Sequence, residues 1–447
     1  MMTRDFARYC PRGVAVVGLL LLALYGALRI LWPEVGEPAG TAMALFGLIA
    51  VLVWGKDLKG SAALWLLLAA IGVQILSWLL GYFHHPDWIS SNPEVDRLAK
   101  LFIFIGVAWW LGGSTRWTLA LWGASVIGYV IAAFVHGGGV QEWLAGFNGQ
   151  RVGFGIRNKQ HGAMLFGVCL VGLTVFARRI FMCLGPSRLP IILVWCVLTL
   201  ISLAGVMIGQ TRAVWLALSV VAFFGIIIWL MWLVKFHGAR SMLRSVTIVV
   251  CVLAVVFLGA LYTFKDTLSK RVGYESDVIE KLIDGEFQQL PYSSIGIRIH
   301  TWVAAGEWIA ERPLVGWGGE GRGLVIDHTD WLPDDIKERF GHLHNFFLEV
   351  WVAYGLLGLG VIAALAFWIG RGTWLAWRAG VIPNDMALFG AAFFVYWMIV
   401  NQFESYNSFW TGVYVHNLIV GGLVTHIWRW QLESGQRVLA WPARWST

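Results

Sequence analysis

Apolar runs of roughly 17 to 25 residues, long enough for a helix to cross a bilayer, follow one another along nearly the whole chain. The pattern predicts about twelve transmembrane helices, over 13–32, 39–54, 61–82, 98–112, 117–135, 161–177, 189–209, 213–235, 244–262, 345–369, 386–404 and 408–430. The expected fold is therefore an all-α polytopic membrane protein, organised as nine helices within 1–262, a large extramembrane segment over 263–343, and three more helices with a tail over 344–447. Arg4, Arg8 and Arg12 precede the first run, which is too long for a signal peptide and lacks a small-residue cleavage site, so it reads as an uncleaved first helix.

Composition agrees, since 58% hydrophobic against 13% charged residues leaves too little polar surface to clothe a soluble globule of this length. The 28 tryptophans are explained by Trp32, Trp54, Trp88, Trp117 and Trp428 near the ends of runs, where amphipathic rings favour the interface. Cys10, Cys169, Cys183, Cys196 and Cys251 lie in or beside the runs without metal-ligand spacing, so neither disulfides nor a zinc site is expected. The net charge of +7 is dispersed over short loops, which excludes a nucleic-acid partner and fits the charge bias that orients membrane proteins. Alternate short loops carry most of the Lys and Arg, and that asymmetry puts both termini on the cytoplasmic side. The polar clusters 83–97, 136–160, Gln210–Arg212, 263–343 and Glu404–Asn407 then face outward. No Walker-type Gly-Lys-Ser/Thr loop is present, so any chemistry uses pre-activated substrates, with no cofactor.

Several outward residue groups carry candidate chemistry. Arg151-Val152-Gly153-Phe154-Gly155-Ile156-Arg157-Asn158-Lys159-Gln160-His161 is a cationic, glycine-bearing helix entry of the kind that binds phosphate. Arg212 follows Gln210-Thr211 at the head of a helix, where it either snorkels to the interface or binds an anion in a cavity. Ile297 through Ile309 has helical spacing and stops before Pro313; its Arg298 either pairs with a local acid, Glu307 or Glu311, or serves a ligand. His342-Leu343-His344-Asn345-Phe346-Phe347-Leu348-Glu349 puts imidazoles and a carboxylate where a helix enters the bilayer. These side chains either bridge water and headgroups, or accept a proton from a sugar hydroxyl.

His344-Asn345, nine residues, then Gly355-Leu356-Leu357-Gly358 resembles the signature of bacterial O-antigen ligases, members of the O-antigen ligase/polymerase superfamily. Gln210 through Ala217, Ile297 through Gly318 with its Pro313-Leu314-Val315-Gly316-Trp317-Gly318 turn, and Arg151 through Gly162 resemble further parts of that family in the same order. The resemblance implies a fold similar to membrane glycosyltransferases of the GT-C type and a periplasmic active site in the inner membrane of a Gram-negative bacterium. It implies an undecaprenyl-pyrophosphate-linked O-antigen as donor and the lipid A-core of lipopolysaccharide as acceptor. Carried onto this sequence, it gives His344 the activation of the acceptor hydroxyl, Arg212 and Arg298 the donor pyrophosphate, and Arg151, Arg157, Lys159 and His161 supporting contacts to that pyrophosphate. Asn345, Glu349, Gly355 and Gly358 support the site, and no metal is implied.

An O-antigen polymerase, joining two lipid-linked glycans, is the nearest alternative, and a protein O-glycosylating relative ranks below it. A lipid-linked glycan transporter would place charges near the midplane, whereas Arg29, Glu349 and Glu404, the charges within or near the runs, fall in the outer half.

Overall fold

The computed structural model describes residues 10–182, 185, 188–231, 234, 281 and 290–439. The expected helix over 244–262 and the segment 263–289, Lys281 apart, lie outside these residues. The described part is helical, with no strand among the described residues. In chain order the helices are α1 (Arg12–Leu28), α2 (Pro33–Trp54), α3 (Ala62–His84), α4 (Asp96–Ala99), α5 (Phe104–Leu111), α6 (Thr115–Val135), α7 (Val140–Phe147), α8 (Lys159–Val175), α9 (Ala177–Phe181), α10 (Arg188–Gly209), α11 (Arg212–Met231), α12 (Ser294–Glu311), α13 (Gly321–Asp327), α14 (Asp334–Arg339), α15 (Phe346–Arg378), α16 (Asn384–Val400) and α17 (Trp410–Ser434). Among the described residues, α2, α3, α6, α10, α11 and α15 are long and apolar enough to cross a membrane, and α1, α8 and α16 are shorter apolar helices.

The stretch 98–112 is not one helix. It divides into α4, a tight 3₁₀ turn over Lys100–Phe102 and α5, which Gly112 ends with φ 61°. The break leaves backbone groups without helical partners, a costly state inside a bundle unless side chains supply them. Gln74 of α3 donates to the Val95 carbonyl at 2.8 Å and accepts from the Leu98 N–H at 2.7 Å. Asn417 of α17 does the same for the Lys100 carbonyl at 2.9 Å and the Phe104 N–H at 2.7 Å. Helix α17 can carry these polar groups because it is buried over almost its whole length and packs against α5 and α15.

Two glycine motifs lock together around α15. At Gly355, with φ 63° and ψ −162°, the helix breaks. Ahead of the break, the Val352 and Ala353 carbonyls accept from the N–H groups of Trp317 and Gly318, at 2.9 and 2.8 Å; beyond it, Leu356 and Leu357 donate to the carbonyls of Pro313 and Leu314, at 2.9 and 3.2 Å. A Cβ on Gly355 would lie 2.1 Å from the Leu314 carbonyl carbon, and one on Gly316 would lie 2.5 Å from that of Ala353. The two motifs are thus one structural joint, which pins the α12–α13 segment onto α15. That segment has its own apolar core, in which Trp308, Trp317, Leu324, Val325 and Leu343 pack with Val352 and Ile89.

Candidate active site

Four connections meet at one end of the bundle: the loop before α8, the α10–α11 junction, α12 with the entry to α15, and the α16–α17 loop. Asn158 caps α8 by accepting from the Gln160 N–H at 3.0 Å, and Asn345 caps α15 by accepting from Phe347 and Leu348 at 3.0 and 3.2 Å. His344, immediately ahead of that cap, has φ 53°, and Gln210 and Phe154 share this left-handed region with φ 45° and 54°. For non-glycine residues such a backbone costs roughly 1–3 kcal/mol, and three of the four converging segments carry one.

Glu404, in the loop after α16, is the centre. Its Oε2 accepts from His344 Nδ1 at 3.0 Å and Gln160 Nε2 at 2.7 Å, while Oε1 accepts from His342 Nε2 at 3.1 Å and the Ser405 N–H at 3.1 Å. The side chain is fully buried. Burial pushes the carboxyl up, but hydrogen bonds and charge from His342 and His344 outweigh it and hold Glu404 well below the usual carboxylate range. A carboxylate only accepts, so the neutral form of His344 that fits this contact has its proton on Nδ1 and its lone pair on Nε2.

Gln160 passes the network on, because its Oε1 accepts from Arg298 Nη2 at 3.4 Å. Burial lowers the Arg298 guanidinium from its ordinary value; Glu404 and Tyr406 act against this, and the charge of Arg212 lowers it further. The two guanidiniums thus feel each other, and an anion between them relieves that repulsion. The local acids that the sequence offered Arg298 are engaged elsewhere, Glu307 with Trp331 at 3.1 Å and Glu311 with His84 at 3.3 Å.

The other expected site residues take distinct places. Arg151 donates to the Gly209 carbonyl and the Thr211 hydroxyl, both at 3.1 Å, and so ties the α8 entry to the α10–α11 junction. Lys159 donates to the Arg151 carbonyl at 2.8 Å, and Arg157 is exposed on the same loop. His161 is buried, hydrogen-bonded to Thr411, with its ring against Tyr406 and Phe409. Glu349 accepts from the hydroxyls of Ser405 and Ser408 at 2.6 and 2.7 Å, the Leu343 N–H at 3.1 Å and Arg322 at 3.2 Å. It binds the loop carrying Glu404 to the strand of chain carrying His344. Gly355 and Gly358 belong to the joint in α15. Sequence reasoning marked Glu404 only as a charge near the end of a run and assigned Gln160 no role of its own. The sole signal was their presence in polar clusters at one end of the bundle.

His342, His344 and Glu404 offer donor atoms within 4.8 Å of one another, a spacing that also suits a metal ion. The arrangement links an imidazole through Glu404 and Gln160 to the Arg298 guanidinium, which suits removing a proton from a hydroxyl while an anionic group departs. Compared with known proteins, residues 197–363 match the model of the O-antigen ligase family, a family that covers both ligases and polymerases of O-antigen. No curated protein matches the chain.

Proposed function

We propose that this chain, whose residues 197–363 match the O-antigen ligase family, is an O-antigen ligase that moves a glycan from undecaprenyl pyrophosphate to the lipid A-core of lipopolysaccharide. The site faces the periplasm of a Gram-negative cell, with both termini cytoplasmic. The observation that carries the reading is the hydrogen-bonded run from His344 through Glu404 and Gln160 to Arg298.

The reaction is a direct displacement. The acceptor hydroxyl oxygen bonds to the anomeric carbon as that carbon's bond to the pyrophosphate oxygen breaks, inverting the configuration. The hydroxyl proton passes to His344 Nε2, and Glu404 stabilises the imidazolium that forms. Arg298 and Arg212 balance the charge that builds on the departing undecaprenyl pyrophosphate. No covalent glycosyl-enzyme and no metal ion is needed.

The test is transfer by purified protein from undecaprenyl-pyrophosphate glycan to rough lipopolysaccharide in the presence of EDTA. Full wild-type activity and a loss of about 10²–10⁴-fold in His344→Ala is the expected result. Unchanged turnover in the variant overturns the role of His344, and loss of wild-type activity in EDTA overturns metal independence. A cell lacking the protein distinguishes the two activities of the superfamily: bare core on the lipopolysaccharide ladder fits a ligase, whereas core with a single repeat unit means a polymerase.

A further inference from the structure

Beside this site lies a second recess, with both charged and apolar walls, between the 3₁₀ turn over Lys100–Phe102, helix α13 and the first turns of α15. Arg97, Lys100 and Arg322 line it together with Glu349, Ser408 and Tyr354. It leaves about 40 Å³ for the centres of water-sized atoms, enough for the oxygens of one tetrahedral oxyanion.

The polar groups around this space are unequally satisfied. Arg97 is paired with Glu94 at 2.7 Å and Arg322 with Glu349 at 3.2 Å, each keeping further N–H groups. Lys100 donates to a neutral acceptor, the Ser408 carbonyl at 2.9 Å. Asp96, the next acid along, is exposed, and an exposed carboxylate is screened by water. The Tyr354 hydroxyl is 3% exposed by residue and has no hydrogen-bond partner. A buried hydroxyl without a partner costs roughly 1–3 kcal/mol, so its retention beside three cations points to an acceptor supplied from outside the chain.

We propose that Arg97, Lys100, Arg322 and the Tyr354 hydroxyl form an anion site for a phosphate-type group, distinct from the pyrophosphate site at Arg212 and Arg298. Arg322 connects the two places, since its partner Glu349 also holds Ser405 and Ser408 of the loop that carries Glu404. The phosphate group comes either from a glycolipid acceptor bound for transfer, which rests on the function proposed above, or from a phospholipid headgroup, which does not.

The experiment measures binding and needs no transfer, so its failure is distinct from failure of the transferase reading. The full chain is placed in phosphatidylcholine nanodiscs and titrated with phosphorylated core oligosaccharide and with the same oligosaccharide after phosphatase treatment; a parallel set replaces phosphatidylcholine stepwise with phosphatidylglycerol. A saturable rise in melting temperature is expected in the wild type, with at least a tenfold weaker apparent affinity in Lys100→Gln. Arg378→Gln, which removes the same charge at the far end of α15, should leave the affinity unchanged. Tyr354→Phe removes only the hydroxyl and serves if Lys100→Gln folds poorly; it should weaken affinity severalfold. A response to the phosphorylated oligosaccharide alone assigns the site to an acceptor, and a response to phosphatidylglycerol alone assigns it to a headgroup. No saturable response to either, or equal responses in wild type, Lys100→Gln and Tyr354→Phe, overturns the site.

Discussion

Replacing Glu404 by glutamine keeps size and shape but changes what the centre can accept. An amide has one accepting oxygen and one donating nitrogen, whereas all five groups around the carboxylate, among them the Asn158 amide at 3.5 Å, donate to it. At the Oε1 position the Ser405 backbone N–H cannot reverse its role, so the amide oxygen must stay there. The amide nitrogen then occupies the Oε2 position, facing Gln160 and His344. Gln160 can turn its own amide to accept, but that swings its oxygen away from Arg298. His344 can accept only by moving its proton from Nδ1 to Nε2, which removes the lone pair meant for the acceptor hydroxyl. An orienting carboxylate swapped for its amide costs about 10²–10⁴-fold in turnover when the tautomer is lost, and Glu404→Gln is expected in that range with donor KM little changed. Glu404→Asp keeps the charge but recedes by one methylene, and should retain more activity than the glutamine variant. The assay is initial-rate transfer from lipid-linked glycan, with circular dichroism and thermal melting to show that each variant is folded. A folded Glu404→Gln protein turning over at more than about a third of the wild-type rate would refute the tautomer argument.

Arg298→Lys keeps a charge but loses the planar fork, and transfer should fall at least about tenfold, read as kcat/KM for the donor. Gly355→Ala places a Cβ against the Leu314 backbone in a conformation nearly exclusive to glycine; a loss of about 2–6 kcal/mol, seen as a lower melting temperature and easier proteolysis near residue 314, is expected. Because Glu404 is held below its unfolded value, its stabilisation is complete above the ordinary carboxylate range and is lost as pH falls through the folded value. The gap in melting temperature between wild type and Glu404→Gln should therefore be widest at neutral pH and narrow on acidification below that range.

Parts of the site were legible because their signals are local. His342 through Glu349 reads as the point where a helix enters the bilayer, and α15 begins there, at Phe346. Arg298 on an amphipathic helix ending before Pro313 was likewise visible, and α12 is that helix. Glu404 was not, because it meets His344 across 60 positions and a carboxylate at the end of an apolar run looks the same whether it faces lipid headgroups or two imidazoles. The break in 98–112 was hidden for a related reason. Its residues are as apolar as a membrane helix, and the groups that make the break affordable, Gln74 and Asn417, sit far away in sequence. The glycine spacing after His344 was visible as a pattern, but its partner at 313–318 acquires meaning only when the two backbones are hydrogen-bonded.

That backbone joint constrains how the α12–α13 segment can move. Residues 313–318 are riveted to α15 through four main-chain hydrogen bonds around Gly355, so this edge of the α12–α13 segment acts as a fixed pivot. Any movement of the segment is smallest there and grows towards Ser294 at the start of α12 and towards the stretch 328–341. That stretch runs directly into His342 and His344, so any displacement of it bears on the two imidazoles that hold Glu404.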